Sequence, residues 1–304
     1  MSLRTYGPGH FALDDLVARK GSAGTTASLV IPARDEEATV ADVVAAYLPL
    51  CEAGLLDELV VVDSLSRDRT AEVAADAGAT VVAVGEPAPH LPAVRGKGEA
   101  MWRGLLATTG DLVAYCDADV LDATPAFVLG LLGPMLVDPA VQLVKGFYRR
   151  PIVGLDGTVE EHGGRVTELT ARPFLSLYRP ELAQFVQPLA GEWSGRRDHL
   201  RSLPFPVGYG VEIAVLLDTH AAVGIEGMAQ CDLGTRTHRH QSQQALGVMA
   251  AEVLGTAVRR LGVEPSGRAM HQFGVDDHHA IDTGLRWLER PPAASLGPPR
   301  GPSS

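Results

Sequence analysis

Leu112-Val113-Ala114-Tyr115-Cys116-Asp117-Ala118-Asp119 is the stretch on which the fold turns. An apolar run of strand length that stops at two carboxylates predicts a buried strand over Leu112 to Cys116, with both acids at its carboxyl end. Open α/β sheets bind their ligands there. Mg²⁺ takes a few carboxylate oxygens and fills its octahedron with water and phosphate oxygens, so Asp-x-Asp in this position suits a metal carrying a diphosphate. The pattern is weak alone in an acidic chain, and its surroundings give it weight.

Upstream, strand-like runs alternate with helical periodicity. Ser28 to Pro32, Glu58 to Val62 and Thr80 to Val84 read as strands, and Glu36 to Leu50 and Asp68 to Gly78 as helices. A Pro-rich loop, Glu86 to Val94, leads to a helix over Lys97 to Thr108. The order βαβα with almost wholly apolar strands predicts an α/β fold, a Rossmann-like, mostly parallel sheet flanked by helices. Downstream, Val141 to Tyr148 and Ile225 to Leu233 read as strands. Helices are expected from Gly163-Gly164 toward Tyr178, over Val211 to Ala222, and over Gln241 to Leu261, the last either packing within the chain or dimerising. The Pro, Gly and Ser content from Pro291 to Ser304 predicts a disordered tail.

With 304 residues, 46% hydrophobic and 21% charged, the chain can bury a large core. Its formal charge of −11 argues against a nucleic-acid surface while leaving room for a local basic pocket. Cys51, Cys116 and Cys231 are far apart in apolar runs and read as reduced, buried thiols. Neither a signal pattern nor an apolar stretch of about 20 residues is present, which predicts a cytoplasmic protein with no membrane partner.

Three polar strand ends could meet on one ligand: Pro32-Ala33-Arg34-Asp35-Glu36-Glu37, Asp63-Ser64, and Asp117-Ala118-Asp119. Asp35 and Glu36 equally read as first-turn acids complementing a helix dipole, and Asp63-Ser64 as turn chemistry. Gly163-Gly164-Arg165-Val166-Thr167 reads either as a plain helix entry or as an anion cradle of backbone N–H groups, a guanidinium and a hydroxyl. Glu212 follows Gly208-Tyr209-Gly210 in a helix's first turn, where a dipole-complementing surface acid is the simpler reading. His238 and His240, in Gly234-Thr235-Arg236-Thr237-His238-Arg239-His240, read as solvent-facing or hydrogen-bonded imidazoles when taken singly.

Taken in order, Val30-Ile31-Pro32-Ala33-x-x-Glu36-Glu37, Val62-Asp63-Ser64, Arg95-Gly96-Lys97-Gly98-Glu99-Ala100, Asp117-Ala118-Asp119, Gly164-Arg165-Val166-Thr167-Glu168-Leu169, Gly208-Tyr209-Gly210-Val211-Glu212-Ile213 and Gly234-Thr235-Arg236-Thr237-His238-Arg239 resemble the actinobacterial glucosyl-3-phosphoglycerate synthases over roughly residues 28 to 260. That resemblance implies a retaining GT-A glycosyltransferase with an acceptor-binding C-terminal half, usually a homodimer, moving a hexosyl group from a nucleotide-sugar, UDP-glucose first, to 3-phosphoglycerate with Mg²⁺ or Mn²⁺. It implies an N-terminal extension over 1–24, a nucleotide-sugar half over 25–120, an acceptor half over 121–262 and a C-terminal extension over 263–304. It places the nucleotide-sugar on Pro32, Ala33, Glu36, Ser64, Lys97, Asp117 and Ala118. The metal falls to Asp119 and His238, the acceptor to Gly164, Arg165, Val166, Thr167 and His240, and the catalytic roles to Glu212 and Asp119. The chain departs from the family pattern at His240, where the family has Asn, at Ala118 for Ser, and at Arg34-Asp35 for Leu-Asn. Two other readings share the fold: a secondary-metabolism glycosyltransferase with another donor, such as a GDP-linked sugar, and a small acceptor such as a thiol, and a non-catalytic nucleotide-sugar sensor.

Overall fold

A computed structural model describes residues 2–149, 151–153, 159–161, 164–236, 242–274 and 279–296. In chain order its elements are β1 (Arg4–Tyr6), α1 (Leu13–Ala23), β2 (Ala27–Ala33), α2 (Val40–Glu52), β3 (Glu58–Asp63), α3 (Thr70–Asp76), β4 (Thr80–Ala83), α4 (Lys97–Ala107), β5 (Leu112–Tyr115), α5 (Pro125–Val137) and β6 (Leu143–Arg149). After them come β7 (Pro151–Val153), β8 (Val159–Glu161), α6 (Arg172–Tyr178), β9 (Trp193–Arg196), α7 (Arg197–Arg201), β10 (Phe205–Pro206) and α8 (Val211–Val223). The chain closes with β11 (Met228–Thr235), α9 (Gln243–Arg259), β12 (Ala269–Phe273), β13 (Ala280–Gly284) and β14 (Glu289–Arg290).

Eight strands form one sheet in the order β1-β11-β6-β9-β5-β2-β3-β4. All neighbours run parallel except at β9, which is antiparallel to both β5 and β6. Alternation along each strand feeds two separate cores. Val30, Val60, Val62, Val113 and Tyr115 face the side covered by α4, α8 and α9. Leu29, Ile31, Leu59, Val61, Leu112 and Ala114 face α2 and α5. Each Val, Leu or Ile side chain here taken fully out of water stabilises the fold by about 1.5–3 kcal/mol, and burial on both faces explains why these strands read as continuous apolar runs.

The expected βαβα order is present from β2 to β5, and it is part of the glycosyltransferase architecture expected from the sequence. Three expectations change. Helix α2 starts at Val40 rather than Glu36, because residues 34–39 are taken up in a turn bonded to the loop after β3. The strand expected from Ile225 begins at Met228, after a 3-10 turn. The Pro-rich end is not loose from Pro291: the carbonyl of Pro291 accepts from Trp102 Nε1 at 3.0 Å, Ala293 is buried, and Ala293–Leu296 forms a 3-10 turn. Residues 297–304 lie outside the described residues.

A buried ion network anchors this C-terminal strap to α4. Glu99 is fully buried and accepts from Arg103 Nε at 3.0 Å and from Arg290 Nε and Nη2 at 2.6 and 2.8 Å. The same guanidinium groups donate to the carbonyls of Ala88, Leu91 and Pro92, so the Pro-rich loop hangs on the network as well. The segment 1–24 contributes β1 to the sheet edge and α1 against α5. No helix among the described residues is long and apolar enough to cross a membrane.

Candidate active site

The carboxyl ends of β2, β3 and β5 open onto one cleft of about 740 Å³. Its lining includes Pro32, Ala33, Glu36, Ser64, Lys97, Asp117, Ala118, Asp119, Gly164, Arg165, Val166, Thr167 and Glu212, so the residues singled out from scattered motifs converge. His238 and His240 lie outside the described residues.

At the β2 and β3 ends the acids work structurally. Asp35 adopts a positive φ of 54°, which Asp tolerates better than most residues. Its Oδ1 accepts from Arg67 N at 2.8 Å, while Glu37 Oε2 accepts from Arg69 N at 2.9 Å. Asp68 Oδ2 returns a bond by accepting from Glu37 N at 3.1 Å. The two loops are thereby stitched into one wall through Asp35, Glu37 and Asp68, while Glu36 Oε2 accepts from Thr39 Oγ1 at 3.1 Å at the start of α2. Arg34 Nε lies 3.3 Å from Asp35 Oδ2, so these two charges neutralise each other on the cleft wall. Ser64 Oγ is buried with no hydrogen-bond partner among the described residues, a donor and acceptor left open at the cleft.

Lys97 opens α4, placed by a tight turn. A Cβ on Gly96 would come 2.0 Å from the carbonyl oxygen of Val207, and one on Gly98 1.8 Å from that of Pro206. No larger residue fits at either position. The Lys97 ammonium stands 2.7 Å from Asp117 Oδ1 and 2.9 Å from Glu212 Oε1. Gly191 makes room for this pair, since a Cβ there would come 2.3 Å from Asp117 Oδ2 and 2.6 Å from Lys97 Nζ.

Arg236, whose role the sequence reading did not assign, is the second cation of the centre and only 1% exposed. Its Nη2 donates to Asp119 Oδ1 at 3.0 Å, Nη1 and Nη2 both reach Asp117 Oδ2 at 3.3 Å, and Nη1 also bonds Tyr148 Oη and Glu192 Oε1. Burial works against the Asp117 charge, yet Lys97 and Arg236 overcome it and hold the carboxyl well below the usual range. Burial likewise opposes the Lys97 charge, and Asp117 with Glu212 raises its pKa well above the ordinary lysine value. Behind them, Lys145 donates to the carbonyl of Ala190 at 2.7 Å, fixing the Leu189-Ala190-Gly191 wall. Burial pushes its ammonium down to about 7, with Glu212 pulling upward. Lys145 sits in a mostly apolar run, Val141 to Gly146, and a lone charge inside such a run was the available signal; Glu192, in Ala190-Gly191-Glu192-Trp193-Ser194, carried none.

On the opposite wall, residues 165–178 form one helix whose Thr167–Ala171 turn is π-type. The first N–H groups of a helix lack intrahelical partners and favour an anion. Thr167 is buried at this entrance and Arg165 stands beside it on the cleft wall.

Among the described residues no group of three or more His, Cys, Asp and Glu side chains could hold a metal by itself. The donor chemistry nonetheless fits one hard divalent cation. Asp119 presents carboxylate oxygens at the cleft with only Oδ1 engaged among the described residues. Four carboxylates, Asp117, Asp119, Glu192 and Glu212, share the two cations Lys97 and Arg236. A diphosphate brought against Asp119 would face these carboxylates directly, and a divalent ion between them would offset the repulsion, with the remaining ligands drawn from phosphate and water.

Residues 28–183 match the model of the glycosyl transferase family 2. The chain is 46% identical over 286 residues to glucosyl-3-phosphoglycerate synthase of Mycolicibacterium smegmatis, covering 93% of each. It is 43% identical over 310 residues to glucosyl-3-phosphoglycerate synthase of Mycobacterium tuberculosis, covering 96% of this chain and 95% of that one. It superposes with a TM-score of 0.88 and 42% identity on a crystal structure of the M. tuberculosis synthase in complex with Mn²⁺, UDP-glucose and phosphoglyceric acid, covering 97% of this chain and 99% of that one.

Proposed function

The chain belongs to the glycosyl transferase family 2 and, within it, to the glucosyl-3-phosphoglycerate synthases, and on that premise we propose that it moves a glucosyl group from UDP-glucose to the hydroxyl of 3-phosphoglycerate with retention of configuration. The carrying observation is the convergence of Lys97, Asp117, Asp119, Arg165, Thr167 and Glu212 on one cleft. An acceptor without an anionic group would have no use for the Arg165–Thr167 helix entrance, and the phosphoglycerate complex of the M. tuberculosis relative supports the phosphorylated acceptor.

Pro32, Ala33, Glu36 and Ser64 form the nucleoside wall, with the open Ser64 hydroxyl supporting a contact to base or ribose. Lys97 stands beside Asp117, poised toward the sugar diphosphate. Asp119 holds the divalent cation, with His238 as the family's further ligand, and we take Mg²⁺ as the physiological ion with Mn²⁺ as its substitute. When bound, the ion neutralises charge building on the departing diphosphate as a Lewis acid. Gly164, Arg165, Val166 and Thr167 receive the acceptor phosphate through backbone N–H groups, a guanidinium and a hydroxyl. His240 stands at the family's acceptor Asn.

The bond between glucosyl C1 and the diphosphate breaks with its electron pair on the phosphate oxygen, and the acceptor hydroxyl oxygen bonds C1 on the same face. Its proton goes to the departing phosphate. Glu212, 5% exposed and tied to Lys97, orients sugar or acceptor and is not assigned as a nucleophile. The exposed Leu169 and Leu177 support a homodimer, and a cytoplasmic site of action fits these substrates.

The test is UDP release from UDP-glucose with Mg²⁺ or Mn²⁺, with and without 3-phosphoglycerate, and product mass as the readout. Acceptor-dependent release with a glucosyl-phosphoglycerate mass is the expected result. Release with no dependence on 3-phosphoglycerate, or dependence on another acceptor alone, overturns the assignment.

A further inference from the structure

We propose that Arg286 recognises the acceptor's second anionic group, its carboxylate, and so selects a phosphorylated hydroxy acid over a phosphorylated alcohol. The inference rests on the reading of the acceptor wall given above. Arg286 lines the same cleft as Arg165 and Thr167, together with Met249 and Val253 of α9. Its side chain is 34% exposed, and its guanidinium makes no hydrogen bond among the described residues. The nearest acid is Glu252 Oε1, 3.8 Å from Nε, too long for a hydrogen bond.

The arginine is nevertheless firmly mounted. Glu252 is 1% exposed, and its Oε1 accepts from Arg286 N at 3.1 Å while its Oε2 accepts from Tyr209 N at 2.9 Å. A Cβ on Gly208 would come 3.4 Å from Arg286 Cβ, so this stretch lies directly on the turn that leads to Glu212. The Tyr209 ring supports the guanidinium from 5.8 Å. A planar fork of open donors, held beside a phosphate-binding helix entrance, matches a carboxylate bidentately.

The acceptor's own chemistry needs such a group. 3-Phosphoglycerate carries phosphate and carboxylate at opposite ends of a three-carbon chain. With its phosphate on Arg165 and Thr167, its hydroxyl must face the sugar, and Asp117, Asp119 and Glu212 around the reaction centre repel the carboxylate. Arg286 supplies the opposing attraction.

Glycerol 3-phosphate keeps the phosphate and the C2 hydroxyl and lacks the carboxylate. We expect Arg286→Met to lower kcat/KM for 3-phosphoglycerate by about 30- to 100-fold, the range of a lost charge-assisted bond. The constant for glycerol 3-phosphate, read as turnover or as inhibition, and the KM for UDP-glucose should stay within about twofold. Arg286→Lys should recover part of the discrimination. Equal losses on both acceptors, or an unchanged ratio, would assign Arg286 to structure alone and sink the proposal. If Arg286→Met does not fold, the ratio in Arg286→Lys decides in the same way. A wild-type enzyme inert toward 3-phosphoglycerate would instead sink the underlying function, so the two failures are distinguishable.

Discussion

Lys97 Nζ bridges two carboxylates from different parts of the chain, Asp117 Oδ1 at 2.7 Å and Glu212 Oε1 at 2.9 Å. Removing the ammonium leaves both acids facing each other and the incoming diphosphate. Lys97→Met should therefore reduce kcat/KM by about 10²–10³, the scale of a lost electrostatic contact in a shielded site. Steady-state kinetics with UDP-glucose varied will test this, and near wild-type turnover would remove Lys97 from the reaction.

Asp119 should matter to metal binding before it matters to folding. Its only hydrogen bond among the described residues is to Arg236, so Asp119→Asn should leave the thermal midpoint within a few degrees. Affinity for Mn²⁺, measured by calorimetry with UDP present, should fall at least about tenfold, since first-sphere charge is lost. Unchanged affinity would move the metal elsewhere in the cleft. Chelation of the wild type should stop UDP release, and added Mg²⁺ or Mn²⁺ should restore it.

Lys145 gives the fold a pH signature with a definite sign. Burial lowers its folded-state pKa to about 7, below the ordinary lysine value of 10.5. Below pH 7 the ammonium stays charged in both folded and unfolded states, and its desolvation cost is fully present. Between about 7 and 10.5 only the unfolded state keeps the proton, so stability from this residue rises with pH. Compared with Lys145→Met, the wild type should gain resistance to urea from pH 7 to pH 10. Parallel pH profiles for the two proteins would refute the assignment.

Glu99 holds together two guanidinium groups that otherwise repel in a dry interior. Glu99→Ala should cost about 3–5 kcal/mol, the usual result of removing one member of a buried ion network. Chemical denaturation will measure it. A loss under 1 kcal/mol would mean that Arg103 and Arg290 are satisfied by the carbonyls of the Pro-rich loop.

The first half of the sheet was legible because β2, β3 and β5 are buried on both faces, and such strands write themselves as apolar runs. Asp117 and Asp119 were legible for the same reason, standing where such a run stops. Strand β9 was not: Trp193-Ser194-Gly195-Arg196 is short, small or polar at three of its four positions, and defined by its two neighbours. Arg236 was visible as a residue, but its task is set by four partners 44 to 119 positions away. The first residues of the Pro-rich end, 291–296, were misread because composition measures local preference, whereas Pro291 is held by Trp102 from 189 positions away.

The central placement of antiparallel β9 sets a schedule for synthesis. The ribosome releases β5 and then β6, but the strand that must lie between them emerges last of the three. Until it arrives, β5 and β6 each present a naked edge to the cell, where a stray strand from another chain can pair. The nascent protein therefore commits late, when the Trp193 ring settles 4.3 Å from that of Tyr115 and joins β5 to β6. The same event carries Gly191 into place beside Lys97, but Arg236 follows β11 in the chain and meets Glu192 only after β11 has paired with β6, so the nascent chain has no reaction centre before its sheet is whole.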